Sequence, residues 1–178
     1  MRLEELKSRI PDSGRDIRLN LEAVLTPEGA PGLTPRQIWG VSLACAFALG
    51  SQELVEVVRT ESAAVLDDAT LEGARAAVTI MAMNNVYYRS IHLLEDAELK
   101  RLPTRLRMNV IARPGIEKVE FELMAFAISS LAGCGQCLIA HMKALRTAGV
   151  GDEGIQSALR IAAVLSGAHR ALAIAAIG

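Results

Sequence analysis

An all-α fold is what this 178-residue chain predicts, on three observations. No stretch alternates apolar and polar residues in the manner of a half-buried strand; apolar residues recur instead at three- and four-residue spacing. The segments so marked are bounded by residues that start and stop helices, namely Thr, Ser and Asp before them and Gly or Pro after them. Hydrophobic residues make up 51% of the chain but aromatics only 3%, and alanine dominates, a composition suited to closely packed helices of high intrinsic propensity. The same small side chains suit helices that cross at an oligomer interface.

Taken in order, Leu3, Leu6 and Ile10 lie at helical spacing in a first short helix, which Pro11 and Gly14 close. Ile17, Leu21 and Val24 mark a second. TPEGAPGLTP, Thr26 to Pro35, holds three of the six prolines and reads as a loop. Thr34 caps the next helix, with Pro35 at its first position. That helix, RQIWGVSLACAFALG, stops at Gly50, and Ser51 opens QELVEVVRTESAAV. Asp67 or Asp68, with Thr70, begins LEGARAAVTIMAMNNVYYRSIHLL. The chain turns around Pro103, and LRMNVIARPG carries it across to Gly115. IEKVEFELMAFAISSLAG follows, then a helix from Cys134 to about Leu145, the connection TAGVGDEG, and a last helix, IQSALRIAAVLSGAHRALAIAA.

A chain of this length forms one domain, residues 1–178, with a core that needs no staples. A faint internal repeat divides it into halves of about 1–103 and 104–178: EGARAAVTI at Glu72 lines up without gaps on EGIQSALRI at Glu153, and RQIWGVSLACAFALG pairs with EFELMAFAISSLAG. Only the second half carries a Cys-x-x-Cys pair.

Charge is nearly balanced, 19 Lys and Arg against 20 Asp and Glu, with no basic block to follow a phosphate backbone, so nucleic acid is excluded as a partner. MRLEELKSRIPDSG carries charges throughout and is no secretory signal. Ala158 to Ile177 is apolar but broken by Arg160, His169 and Arg170, which makes it a buried helix and not a membrane span. The expected compartment is the cytoplasm. Paired cysteines there are redox-active or metal-binding in preference to structural.

The chemistry therefore centres on GCGQC. Gly133 and Gly135 break one helix and let the next begin at the pair, where the helix dipole and unpaired N–H groups favour a thiolate. Cys134, Cys137 and His141 then fall at i, i+3 and i+7 on one helical face. Two thiols in reach of each other and an imidazole one turn on are what thiol exchange or peroxide reduction demands. Glu122, on the apolar side of the preceding helix, is the carboxylate that a hairpin bent near Gly133 folds back on His141; Glu117 and Glu120 read as solvated. Zinc is the competing reading, with three ligands in Cys-x2-Cys-x3-His. Cys45, His92 and His169 lack the spacing for a fourth, so no metal is expected.

The remaining candidates carry less. Cys45, in LACAFAL, reads as a small core hydrophobe, His169 as a satisfied or interfacial histidine, and Met81 and Met83 as packing. His92 has no chemical neighbour. Asn84, Asn85, Tyr87 and Tyr88 are polar groups in a helix that bond to neighbouring helices, with no assigned catalytic role.

Glu122, eleven residues, Cys134-x-x-Cys137, three residues and His141, together with RLNL, IWG, MAMNNVYYR and LRMNVIARPGI, resemble the alkyl hydroperoxidase D (AhpD) family of the carboxymuconolactone decarboxylase-like superfamily over nearly the whole chain. The resemblance implies a fold of duplicated helical units, assembled as a homotrimer. It also implies an antioxidant enzyme without a tightly bound cofactor, a lipoyl-dependent peroxidase. Such an enzyme takes electrons from dihydrolipoamide on a lipoylated acyltransferase of a 2-oxoacid dehydrogenase complex and passes them to a peroxiredoxin of the AhpC type or to peroxide directly. Carried over, Cys137 is the peroxidatic thiol that becomes a sulfenic acid. Cys134 resolves it, donates a proton and forms the mixed disulfide with the peroxiredoxin, and His141 and Glu122 are the proton relay.

Some family members have a histidine immediately before the second cysteine; Gln136 stands there in this chain and cannot shuttle a proton at neutral pH. Two rival readings remain: a cofactor-free decarboxylase of the same superfamily, which needs no such pair, and a non-enzymatic redox sensor or zinc-binding module.

Overall fold

The computed structural model describes residues 1–177; Gly178, the last residue of the expected domain, lies outside them. The described residues are all-α, as the sequence predicts, and contain ten α-helices and a short 3-10 turn. The helices are α1 Leu3–Arg9, α2 Arg15–Val24, α3 Pro35–Ala48, α4 Gln52–Glu61, α5 Asp68–Leu94, α6 Ala97–Arg101, α7 Asn109–Ala112, α8 Lys118–Ala132, α9 Gly135–Thr147 and α10 Asp152–Ala175.

The starts are those the capping residues dictate. Thr34 accepts from the Gln37 N–H while the Gln37 side chain reaches back to the Thr34 N–H, a reciprocal capping box with Pro35 following. Ser51 caps α4 and Asp67 caps α5. The Asp67 carboxylate accepts from both the Thr70 N–H and the Thr70 hydroxyl. Those bonds, with one from Arg36, hold it well below the usual carboxylate range.

The order long, short, long occurs twice, as α3–α4–α5 and as α8–α9–α10. Helices α3 and α8 cross at the centre; α5 packs on both of them, and so does α10, as exchange of the two trios requires. The exchange breaks at the short helices: α9 leans on α5, whereas α4 is covered by α1. That asymmetry opens the site described below.

The core divides accordingly. One cluster joins α1–α4, α8 and α10 around Leu6, Leu21, Ile38, Leu123 and Ile161; the other joins α3, α5 and α8 around Leu43, Met81, Phe121 and Met124, and includes Cys134 and Cys137. Cys45 is fully buried in the first cluster, and burial pushes its thiol up to about 12, which keeps it protonated. By length and composition α10 is apolar enough to cross a membrane, with a mean hydropathy of 1.3 in its most apolar stretch. In the fold, however, it lays one face, Ala158, Ile161, Ala162, Leu165 and Ala168, against α2, α3 and α8. Arg170 and Leu159 on its other face are exposed.

Three local features depart from the sequence reading. Helices α6 and α7 occupy the stretch expected to be a turn and a crossing, each barely more than one turn long and therefore without a periodic signature. Helix α4 ends at Glu61, short of the apolar residues Ala63 to Val65. Glu120 is buried and not solvated: its carboxylate meets Arg36 Nε at 2.9 Å.

Candidate active site

Helix α8 ends because Gly133 adopts a left-handed conformation, φ +65°, that only glycine takes without cost. The chain reverses there, and Cys134 becomes the N-cap of α9, its sulfur accepting from the Cys137 N–H at 3.3 Å. Gly135 is simply the first residue of α9; its φ is not positive, and a side chain there would meet open space. The sequence reading gave both glycines the same task, whereas one of them performs it.

Cys134 and Cys137 form a disulfide, with Cα atoms 5.3 Å apart. Their accessibilities are low and unequal: Cys134 is 0% exposed and Cys137 5%. Only Cys137 borders a cavity of about 230 Å³, lined also by Met81, Asn84, Tyr88, Met108, Ile111 and His141. Gln136 and Ala140, both exposed, stand at its rim. The sulfur of Cys137 lies 4.0 Å from the backbone carbonyl oxygen of Asn84, the point at which α9 leans on α5.

The hairpin of α8 and α9 brings Glu122 to His141 as the spacing predicts. His141 Nδ1 is 2.6 Å from Glu122 Oε2, and both side chains are buried. Burial is the largest influence on the Glu122 carboxyl and raises its pKa; the bonds and charges of His141 and Lys118 outweigh it, holding the group below its ordinary value of 4.5. A carboxylate there needs Nδ1 to carry the hydrogen, which leaves Nε2 as the nitrogen able to take a proton.

Lys118, which the sequence reading did not single out, completes the arrangement. Its Nζ is 2.8 Å from Glu122 Oε1 and also donates to the Ile111 carbonyl, tying the carboxylate to the segment that walls the cavity. The i, i+4 spacing of Lys118 and Glu122 on α8 was the available signal.

The other candidates lie apart. His92 is exposed at the end of α5, His169 is half-buried on α10 and Met83 half-buried on α5. Among the described residues no three His, Cys, Asp or Glu side chains are grouped to hold a metal ion. Asn85 does bond across helices, accepting from the Ser129 hydroxyl at 3.0 Å. Asn84 does not; its Nδ2 reaches only the Met81 sulfur on its own helix, at 4.0 Å.

A helix-start dithiol pair, closed as a disulfide and backed by a histidine–carboxylate couple within an all-α fold, defines a helical member of the CxxC class. The comparisons with known proteins narrow it. The carboxymuconolactone decarboxylase family model matches residues 97–178. Alkyl hydroperoxide reductase AhpD of Coxiella burnetii (strain Dugway 5J108-111) is 47% identical over 165 residues, 93% of each chain. The protein of that name from Rhodospirillum centenum is 48% identical over 93% of this chain and 87% of its own, and that of Brucella suis 43% identical over 97% of each. The chain belongs to the AhpD family.

Proposed function

We propose that the protein is an antioxidant alkyl hydroperoxide reductase in which Cys137 is the peroxidatic thiol. The observation that carries the reading is the placement of Cys137 on the cavity, one helical turn from a histidine whose Nδ1 lies 2.6 Å from a buried carboxylate. The names of the relatives support the same activity.

In the reduced protein His141 Nε2 takes the Cys137 proton, directly or through a water, and Glu122 stabilises the imidazolium. The position of Cys137 in the first turn of α9 stabilises the thiolate further. The sulfur attacks the terminal oxygen of a hydroperoxide; an S–O bond forms, the O–O bond breaks, and the alkoxide leaves as an alcohol after taking a proton. Cys134 then attacks the resulting sulfenic acid and water departs, which forms the Cys134–Cys137 bond. A dithiol restores both thiols by exchange and itself becomes a disulfide, balancing two electrons and two protons.

We assign dihydrolipoamide on a lipoylated acyltransferase as that dithiol, and a peroxiredoxin of the AhpC type, through a mixed disulfide at Cys134, as a second electron acceptor. Family membership supports both assignments, and with them a cytoplasmic setting and a homotrimer. Exposed Val86, Leu93, Leu94, Ile139 and Ile174, each more than half accessible, supply apolar surface for an assembly.

Hydroperoxide turnover with dihydrolipoamide as donor tests the reading, measured in the wild type and in Cys137→Ser. The wild type is expected to consume hydroperoxide and the variant to lose the activity. Equal turnover in the two proteins would sink the mechanism.

A further inference from the structure

Carboxylates are sparse in the part of the chain that builds the site. The stretch from Lys100 to Gly151 holds eight of the nineteen Lys and Arg residues but three of the twenty acidic ones, and two of those three, Glu120 and Glu122, are buried. Glu117 is its one exposed carboxylate. Arg101, Lys118 and Arg146 have carboxylate partners; the exposed side chains of Lys100, Arg105, Arg107, Arg113 and Lys143 have none among the described residues. In a chain of net charge −1, the surface of this one stretch is thus strongly positive.

That surface adjoins the way in to the disulfide. Met108 and Ile111 wall the Cys137 cavity, and Arg107 and Arg113 flank them in the chain. A groove of about 470 Å³ between α8 and α9 lies next to the cavity, lined by Lys118, Lys143, Val119 and Ala144, and Ala140 belongs both to its wall and to the rim of the cavity. Helix α9, which carries the reactive pair's second cysteine, has no acidic residue in its length.

The disulfide itself is recessed, Cys134 wholly buried and Cys137 nearly so. A reductant therefore reaches it as a slender group passing through the cavity, while the body that carries that group stays at the surface. We infer that the positive surface beside the cavity, with Arg107, Arg113 and Lys143 as its unpaired charges, docks an acidic face of the protein that carries the reducing dithiol. The inference rests on the proposed reading of dihydrolipoamide on an acyltransferase as that dithiol, and adds the surface by which its carrier is recognised. Charges so placed at the edge of a contact act chiefly on the rate of encounter and on the exclusion of wrong partners. Once the carrier is docked, its two thiols exchange with the Cys134–Cys137 bond. The arm closes as a disulfide, and two electrons and two protons pass to the cysteines.

The test uses the full chain with its disulfide closed and follows reduction by stopped flow. The reductants are free dihydrolipoamide, which is uncharged, and the reduced lipoylated acyltransferase of a 2-oxoacid dehydrogenase complex. From low salt to about 0.5 M, the second-order rate with the acyltransferase is expected to fall roughly tenfold, and that with dihydrolipoamide to stay within about twofold. The double variant Arg107→Glu with Lys143→Glu is expected to slow the acyltransferase roughly tenfold or more at low salt. It should leave reduction by dihydrolipoamide and the melting temperature near those of the wild type, since both side chains are exposed. Arg107→Gln with Lys143→Gln should give an intermediate rate, graded with charge. Arg170→Glu, an exposed position on α10, which lines neither the cavity nor the groove, should change neither rate. An acyltransferase rate that neither salt nor charge reversal moves would overturn the inference, as would equal slowing with free dihydrolipoamide. So would a wild type that dihydrolipoamide reduces and the acyltransferase does not. A salt effect confined to electron transfer onto the peroxiredoxin would also overturn it, and would assign the surface to the acceptor. A wild type that neither dithiol reduces would instead overturn the reading of dihydrolipoamide as the donor.

Discussion

At the scale of single residues, the site depends on keeping Glu122 ionised where burial opposes it. The sign of its pH dependence follows from the lowered pKa. A carboxyl whose folded pKa lies below its unfolded value contributes stability that is complete above the unfolded value and is lost as pH falls through the folded one. The stability margin of the wild type over Glu122→Gln is therefore expected to be constant at neutral pH and to shrink below the ordinary value of 4.5. Thermal melts across the acid range check this, and a margin that grew toward low pH would contradict it. At neutral pH, His141→Phe and Glu122→Gln should leave the fold intact and slow thiol oxidation, the former by roughly 10²-fold or more. The Cys137 pKa, followed by thiolate absorbance, should rise in both variants; a pKa that neither change moves would remove the relay. These residues were legible in the sequence because their geometry is local: three lie on one helix face and the fourth is one hairpin away. Asn84 was visible only as an unexplained polar residue, since nothing in its own helix shows that α9 packs over it. Glu120 was misread for the same reason, its partner Arg36 being 84 positions distant in sequence.

At the scale of elements, the repeated turn explains how a site came to occupy one half of a quasi-symmetric fold. Gly50 and Gly133 both take the left-handed conformation, at φ +66° and +65°. Each is followed by an N-cap, Ser51 or Cys134, whose side chain accepts from an N–H three residues on. Where the second turn has Cys134, Cys137 and His141, the first has Ser51, Leu54 and Val58, of which Leu54 and Val58 pack into the core. The turn is thus scaffold, and the chemistry is a substitution pattern on it. Gly133→Ala is expected to cost about 1–2 kcal/mol through left-handed strain alone, since a methyl there meets nothing within 4 Å. Gly135→Ala should stabilise by about 0.4–1 kcal/mol, because its backbone suits any residue and the unfolded chain loses freedom. Urea melts of the two reduced proteins distinguish them, and equal destabilisation would show that both glycines are required, as their symmetric placement in GCGQC had implied. The capping residues of the long helices were readable because Thr34, Ser51 and Asp67 act within three residues of themselves. Helices α6 and α7 were not, being too short to display a period.

At the scale of the whole molecule, a polar cluster around Arg36 spans the two trios, as the Asn85–Ser129 bond does elsewhere between α5 and α8. Arg36 at the start of α3 meets Glu120 on α8 at 2.9 Å and Asp67 before α5 at 3.2 Å, and it donates to the Thr70 hydroxyl and the Val65 carbonyl. Glu120 is buried and its second oxygen has no partner, so the guanidinium is what compensates its charge. Arg36 is itself partly exposed, and solvent screening reduces what the pair contributes below that of a fully buried one. Arg36→Met alone is therefore expected to destabilise by about 2–3 kcal/mol, near the low end for a broken buried pair, because it strands the Glu120 carboxylate. Glu120→Met should cost less, since the remaining partners and water still serve Arg36. The double variant should recover most of the Arg36→Met loss, apolar side chains replacing the pair where α3 and α8 converge. Denaturant melts of the four proteins close the cycle. If the double variant fell by the sum of the single losses, Arg36 would act through Asp67 and Thr70 alone. The registration of the trios would then lie at the start of α5 and not between the two central helices.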